Sequence, residues 1–337
     1  MMESAMAAKV LIAVSLLATA MPATAHDEIA PVAIKLTLKI PHDAPGERCI
    51  RIESSDPRAL RRVALYRTFH DDFDVHPLLS GRWVPHYTGP VEMPDSFYAG
   101  GDASAPERKS RYNGEQEIYV DPTYKGRGSI PLGLDPFEVK AGILSIVARR
   151  TPPEFKPLLF DSEYVSGILT TQKSFSQKYG YFEIRAKIPV GVGVWPAFWM
   201  LADDGGWPPE IDALEGRGQQ PGDVVMTTHW RIPTSGMVQH CGFDLSVVNA
   251  WADFHEYGVL WERDRVVYFI DRKAVSEIKT PTTFEDPMYM IVNLAMGSKY
   301  FGGVGFVDTR SPDTVEFQID WISAYQIDPR GEEAAAE

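Results

Sequence analysis

Glu210, Asp212 and Glu215 stand within six residues, in the run Trp207-Pro208-Pro209-Glu210-Ile211-Asp212-Ala213-Leu214-Glu215. Side chains alternate along a strand, so Glu210 and Asp212 share one face while Ile211 and Ala213 point to the other. Glu215, five positions after Glu210, then falls on the wrong side. One extra residue, a β-bulge at Ala213-Leu214, flips the phase and brings all three acids to one surface. Clustered carboxylates repel one another and cost desolvation, so a fold concentrates them where chemistry uses them. Two carboxyls acting as nucleophile and general acid are what cleavage of a glycosidic bond requires. On spacing alone, a solvated edge strand or a calcium site competes with that reading.

The flanking residues favour the chemical reading. A polysaccharide groove needs flat apolar platforms for sugar rings beside polar groups for hydroxyls. Four of the chain's eight tryptophans, Trp195, Trp199, Trp207 and Trp230, crowd around the acids, with Tyr179, Tyr181 and Phe198 close by. A single tryptophan is usually core packing. Half of them flanking three acids is a pattern that packing alone does not call for.

The elements that must position these residues read as strands. Leu144–Ala148, Gly167–Thr171, Tyr181–Ile188, Trp195–Leu201, Val224–Trp230, Glu256–Trp261, Val266–Asp271, Met288–Leu294 and Val315–Gln326 follow one another with Gly and Pro turns between. Helical periodicity is nearly absent apart from a turn at Leu245–Asp253. Many short strands without βαβ spacing predict an all-β fold, an antiparallel β-sandwich of jelly-roll type with a concave substrate cleft. Upstream, Val32 to Ile40 alternates with period two, and residues 26–64 read as an accessory N-terminal strand region, either a hairpin added to the main fold or a small subdomain. Residues 89–128 read as mostly loop, with Glu117–Val120 a short strand.

At the N-terminus, Lys9 precedes the apolar run Val10–Met21 and the Ala23-Thr24-Ala25 exit. This predicts a signal peptide over 1–25 and a secreted or periplasmic protein. No later stretch nears the ~20 apolar residues of a membrane span, so no membrane association is expected after cleavage. A formal net charge of −13 disfavours nucleic acid and anionic membranes as partners. Cys49 and Cys241 are too few for a cysteine metal site and are free to pair in an oxidising compartment. The 328–337 tail reads as frayed, and a monomer is expected.

Taken together, Tyr179–Arg185, Gly193–Leu201, Glu210–Glu215, Thr228–Trp230, Phe254–Trp261, Met290–Gly297 and Asp320–Tyr325 resemble glycoside hydrolase family 16, the laminarinase, lichenase and carrageenase group. The resemblance covers about residues 65–327. Tyr112–Glu117 and Ser174–Gly180 are most similar to a bacterial branch containing endo-1,3-1,4-β-glycanases that act on rhizobial exopolysaccharide. It implies Glu210 as nucleophile, Asp212 as its hydrogen-bonding helper and Glu215 as general acid/base, roles that need no metal or redox cofactor. It also implies that Glu183 and Arg185 bond the sugar beside the cleaved bond, and that Trp195, Trp199, Trp207 and Trp230 wall the subsites. His229 is expected beside the catalytic strand, and Asn113, Glu115 and Gln116 are expected to reach the cleft from a loop. Asp320 matches a position that binds a structural calcium in several members. The implied activity is retaining endo-hydrolysis of β-1,3 or β-1,4 bonds in a glucan or bacterial exopolysaccharide. A transglycosylase on the same scaffold and a non-catalytic glycan-binding protein are the alternatives. The loop 90–112 and residues 26–64 match no family block.

Overall fold

The computed structural model describes residues 65–87, 108, 113–298 and 305–327, together with the backbone of Ile34–Thr37 and Cys49–Ile50. The expected signal peptide over 1–25, most of the 26–64 region and of the 89–112 loop, and the 328–337 tail lie outside the described residues. What is described falls within one unit, Ala33–Glu337.

Among the described residues two sheets form. The seven-stranded sheet runs in the order β1 (Ile34–Thr37), β13 (Val238–Val247), β12 (Asp223–Arg231), β11 (Glu210–Gly216), β10 (Val194–Ala202), β17 (Met288–Met296) and β8 (Ile168–Thr170). The eleven-stranded sheet runs β2 (Cys49–Ile50), β16 (Lys273–Lys279), β15 (Arg265–Ile270), β14 (His255–Trp261), β9 (Gly180–Lys187), β18 (Thr314–Ile327), β6 (Ile143–Arg150), β7 (Tyr164–Ser166) and β4 (Glu117–Tyr119), with β3 (Leu65–Asp71) on β18 and β5 (Phe137–Lys140) on β6. Pairing is antiparallel except between β4 and β7. This is the expected all-β sandwich. No helix among the described residues is long and apolar enough to cross a membrane.

The expected elements mostly fall where alternation puts them, and the differences are local. Leu245–Val247 closes β13 instead of opening a helical turn, because Leu245 and Val247 are buried by β-alternation there. β3, β5, β16 and the first part of β13 carry polar residues on an exposed face and gave no apolar run to read. The two short upstream strands do not pair with each other. β1 extends the seven-stranded sheet beside β13, and β2 extends the other sheet beside β16.

The core lies between the sheets. From the seven-stranded sheet Phe198, Met200, Ile211, Leu214, Met226 and Phe243 are buried, and from the other Phe182, Ile184, Tyr257, Val259 and Tyr268. Tyr268 ties the layers together: its hydroxyl donates to the Thr227 carbonyl at 2.6 Å and bonds the Thr228 hydroxyl at 2.6 Å, while its ring lies 5.9 Å from Phe243. Truncating a fully buried Phe such as Phe198 to Ala should cost about 3–5 kcal/mol. The inward residues of β10, β11 and β12 are therefore anchored, and their alternate residues are held rigidly on the outer face of the same sheet. That face carries the acids.

Candidate active site

The expected bulge is present in β11. Toward β12, Asp212 pairs with Thr227 but Glu215 pairs with Val225, leaving Ala213 and Leu214 opposite one residue. Toward β10, Asp212 pairs with Trp199 and Leu214 with Phe198, so the register slips by one there too. Ala213 and Leu214 are both fully buried, and the phase change returns Glu215 to the face of Glu210 and Asp212.

Three rows of side chains then cross the outer face, each read from opposed residues on β17, β10, β11, β12 and β13. One runs Tyr289, Leu201, Glu210, His229, His240. The next runs Ile291, Trp199, Asp212, Thr227, Gly242, and the third Asn293, Ala197, Glu215, Val225, Asp244. The acids occupy the middle strand. Glu210 and Glu215 are partly exposed, whereas Asp212 between them is 3% exposed.

Indole donors hold the outer two acids. Trp207 Nε1–H donates to Glu210 Oε2 at 2.8 Å, and Trp195 Nε1–H donates to Glu215 Oε1 at 3.2 Å. The Thr227 hydroxyl reaches Glu215 Oε2 at 3.4 Å. His229 Nε2 lies 3.5 Å from Glu210 Oε1 and 3.3 Å from Asp212 Oδ2. The Trp207 carbonyl accepts from Arg231 at 2.8 Å, which fastens the segment leading into β11.

Burial, reinforced by the charge of Asp212, pushes the Glu210 carboxyl up to about 8. Burial likewise carries Glu215 up to about 7, with Glu210 adding to it and His229 opposing. Burial and the charge of Glu215 raise Asp212 well above the usual carboxylate range. Crowded carboxyls that raise one another in this way cannot all be ionised together. The trio therefore keeps protons at neutral pH. A charge on Glu210, when it ionises, is met by the Trp207 indole N–H and by His229 Nε2.

Trp199 belongs to a second chain of bonds. Its Nε1–H donates to Asn293 Oδ1 at 2.7 Å, and Asn293 Nδ2 donates to the Tyr119 hydroxyl at 2.9 Å. Tyr87, Tyr119, Ile168, Leu201, Tyr289 and Ile291 pack beneath Trp199 and Trp207. Asn293, Tyr119 and Thr227 are functional neighbours that sequence reading did not single out. An amide inside the otherwise apolar strand Met288–Met296 was the available signal for Asn293.

Several expected site residues lie elsewhere. Glu183 and Arg185 sit on β9, on the outer face of the eleven-stranded sheet, away from the acids. Glu183 is fully buried under Arg272 and accepts the Tyr181 hydroxyl at 2.7 Å, and Arg185 pairs with Asp320 under the Phe254 ring. Trp230 follows His229 on β12 and so points the opposite way, into the core at 5% exposure. Gln116 is a latch: its Oε1 accepts Val307 N–H at 2.8 Å and it packs on Gly297. Asn113 donates to Glu115 at 3.2 Å, and the charge of Glu115 adds to burial and Glu117 in raising the pKa of the Tyr119 hydroxyl.

For metals, the Asp320 carboxylate is already neutralised by the Arg185 guanidinium, so this position does not fit the expected calcium. Among the described residues, Glu210, Asp212 and His229 form the group whose ligand atoms lie within 4.8 Å of one another. Those atoms are the ones engaged in the contacts above. Cys241 is disulfide-bonded, in a chain with two cysteines.

Comparison with known proteins gives a consistent result. A family model described as glycosyl hydrolases family 16 matches residues 146–323. The endo-1,3-1,4-beta-glycanases EglC and ExsH of Rhizobium meliloti (strain 1021) are 37% and 38% identical over 280 and 273 residues, 80% of this chain in each case. The chain spans about half the length of these curated relatives, 54% of each. The laminarinase catalytic domain from Thermotoga maritima MSB8 superposes with a TM-score of 0.59 at 26% identity, covering 78% of this chain and 98% of that one.

Proposed function

Because the chain belongs to glycoside hydrolase family 16, we propose that it is an exported endo-β-glycanase that cuts internal β-1,3 or β-1,4 bonds of a glucan or bacterial exopolysaccharide with retention of configuration. The observation that carries the reading is the β11 bulge, which turns Glu210, Asp212 and Glu215 together onto an indole-lined face. The relatives EglC and ExsH, named for endo-1,3-1,4-glycanase activity, support the substrate class.

The chemistry needs one ionised and one protonated carboxyl. In its ionised form Glu210, held by the Trp207 N–H, attacks the anomeric carbon while Glu215 gives its proton to the departing glycosidic oxygen. The bond to the leaving sugar breaks and a glycosyl ester to Glu210 forms. With Glu210 neutralised, Glu215 is an ionised base and takes a proton from water, whose oxygen attacks the same carbon and releases Glu210. Asp212, 3% exposed between the two glutamates, helps orient Glu210 and through its charge raises Glu210's hold on a proton. Burial and mutual repulsion supply the elevated proton affinity that Glu215 needs as an acid near neutrality.

Reducing-sugar release from laminarin, lichenan and a succinoglycan-type polymer tests the activity, and the anomer first formed, followed by NMR, tests retention. Initial appearance of the α-anomer from a β-linked substrate would sink the double-displacement reading. Binding without release from any polymer would favour a glycan-binding role.

A further inference from the structure

Gly242 sits in the interior of β13, a strand position where glycine is disfavoured because it costs backbone entropy and packs nothing. The other strand glycines have an internal reason. A Cβ at Gly258 would meet the Tyr181 hydroxyl at 2.3 Å, one at Gly216 would meet Pro196 at 2.7 Å, and one at Gly180 would meet the Tyr325 carbonyl at 2.2 Å. At Gly242 the nearest atom to such a Cβ is Thr227 Oγ1 at 3.5 Å, an ordinary contact, and its φ is not in the left-handed region. Neither crowding by the protein nor backbone conformation explains the missing side chain.

The surroundings do. Gly242 lies in the acid-bearing row of Asp212 and Thr227, on the same outer face. Along β13 it is bracketed by His240 and Asp244. The exposed His240 ring lies 5.7 Å from His229 with 33° between planes, and the His229 ring lies 6.2 Å from Trp207. Three rings thus run in sequence from the acids to His240. On the other side Asp244 is paired with Arg217 at 2.5 Å, a buried charged pair offering both hydroxyl acceptor and donor chemistry.

We propose that Gly242 is the floor of a sugar subsite, with His240 as its ring platform and the Arg217–Asp244 pair as its polar wall. The subsite receives a hexose residue of the bound β-glucan two strand spacings, ~10 Å, from the catalytic strand. That distance corresponds to about two sugar residues beyond the bond being cut. Desolvation of the part of His240 packed against the protein, together with the neighbouring His229, lowers its pKa, which keeps the ring neutral for contact with an uncharged sugar face. This assignment rests on the endo-glycanase reading and deepens it: Gly242 and His240 set how strongly chain length counts.

The test compares kcat/KM on β-glucan hexasaccharide and trisaccharide for the wild type, Gly242→Val, Gly242→Ala and His240→Ala. A valine on β13 meets no forbidden contact at its Cβ, so Gly242→Val should keep or raise Tm. Its hexasaccharide-to-trisaccharide ratio should fall roughly ten- to hundredfold, with Gly242→Ala and His240→Ala falling less. Equal losses on both substrates, or an unmoved ratio, overturn the subsite while leaving the endo-glycanase reading intact. A wild type inactive on every β-glucan overturns both. If Gly242→Val does not fold, the Gly242→Ala ratio decides in the same way.

Discussion

Carboxylates are buried on the outer faces of both sheets, and they are buried differently. On the eleven-stranded sheet Glu183 is sealed from solvent but receives two bonds from Arg272, which also pairs with Glu256. On the seven-stranded sheet Glu210, Asp212 and Glu215 have each other, two indoles, one histidine and the Thr227 hydroxyl. A buried acid given a guanidinium stays a spectator anion, and the pair holds strands in place. Buried acids given other acids must share protons, and groups that share protons near neutrality can transfer them. The partner, more than the depth of burial, separates a structural carboxylate from a chemical one.

The comparison can be broken most forcefully at the trio. Glu210→Gln or Glu215→Gln should lower kcat by about 10⁴-fold or more while Tm holds or rises, since each change removes repulsion. Near-normal turnover in either variant would dissolve the distinction. Asp212→Asn removes the charge that sits between the two glutamates, and a loss of about 10²-fold in kcat is expected. On the opposite face, Arg272→Ala should leave kcat/KM intact and cost about 2 kcal/mol in urea unfolding. That is less than the ~3–5 of a fully buried pair because the guanidinium is half exposed. A changed KM in Arg272→Ala would bring Glu183 back toward the substrate.

The gentlest effect is graded with pH. The folded trio holds protons that the unfolded chain, with carboxyls near ~4.3, has already released. Stability therefore falls as pH rises from about 4.5 through the raised values of about 7 for Glu215 and about 8 for Glu210. The slope is at most ~1.4 kcal/mol per pH unit for each proton. Glu210→Gln should flatten it, and an unchanged Tm-versus-pH slope in that variant would mean the trio is not proton-linked. In parallel, wild-type kcat/KM should decline above about pH 7 as Glu215 loses its proton.

The acid-bearing strand was legible because its logic is arithmetic: period two, three acids, and a phase error that a bulge repairs. Applied to β12, the same arithmetic excludes Trp230 from the groove once His229 is placed there, since adjacent residues face opposite ways. Glu183 and Arg185 were harder. Their alternation with Phe182 and Ile184 shows that they share a face, but not which sheet the strand joins, and sheet membership is fixed by pairings distant in sequence such as Glu183 with Ser323. Asp320 was misread for a related reason. Its partner Arg185 lies 135 positions away and becomes adjacent only when β18 bends at the irregularity between Ile319 and Trp321. Local chemistry showed in the sequence, and the cations that neutralise it did not.

The extra residue in β11 also frees this centre from a single spacing. Removing one peptide unit at Ala213 or Leu214 would leave Glu215 four positions after Glu210, where plain alternation already puts it on the groove side and turns one aliphatic residue inward opposite Met226. A straight strand and a bulged one are thus two spellings of the same trio. What the insertion decides is how far along the groove the third acid stands, and not which side of the sheet it takes.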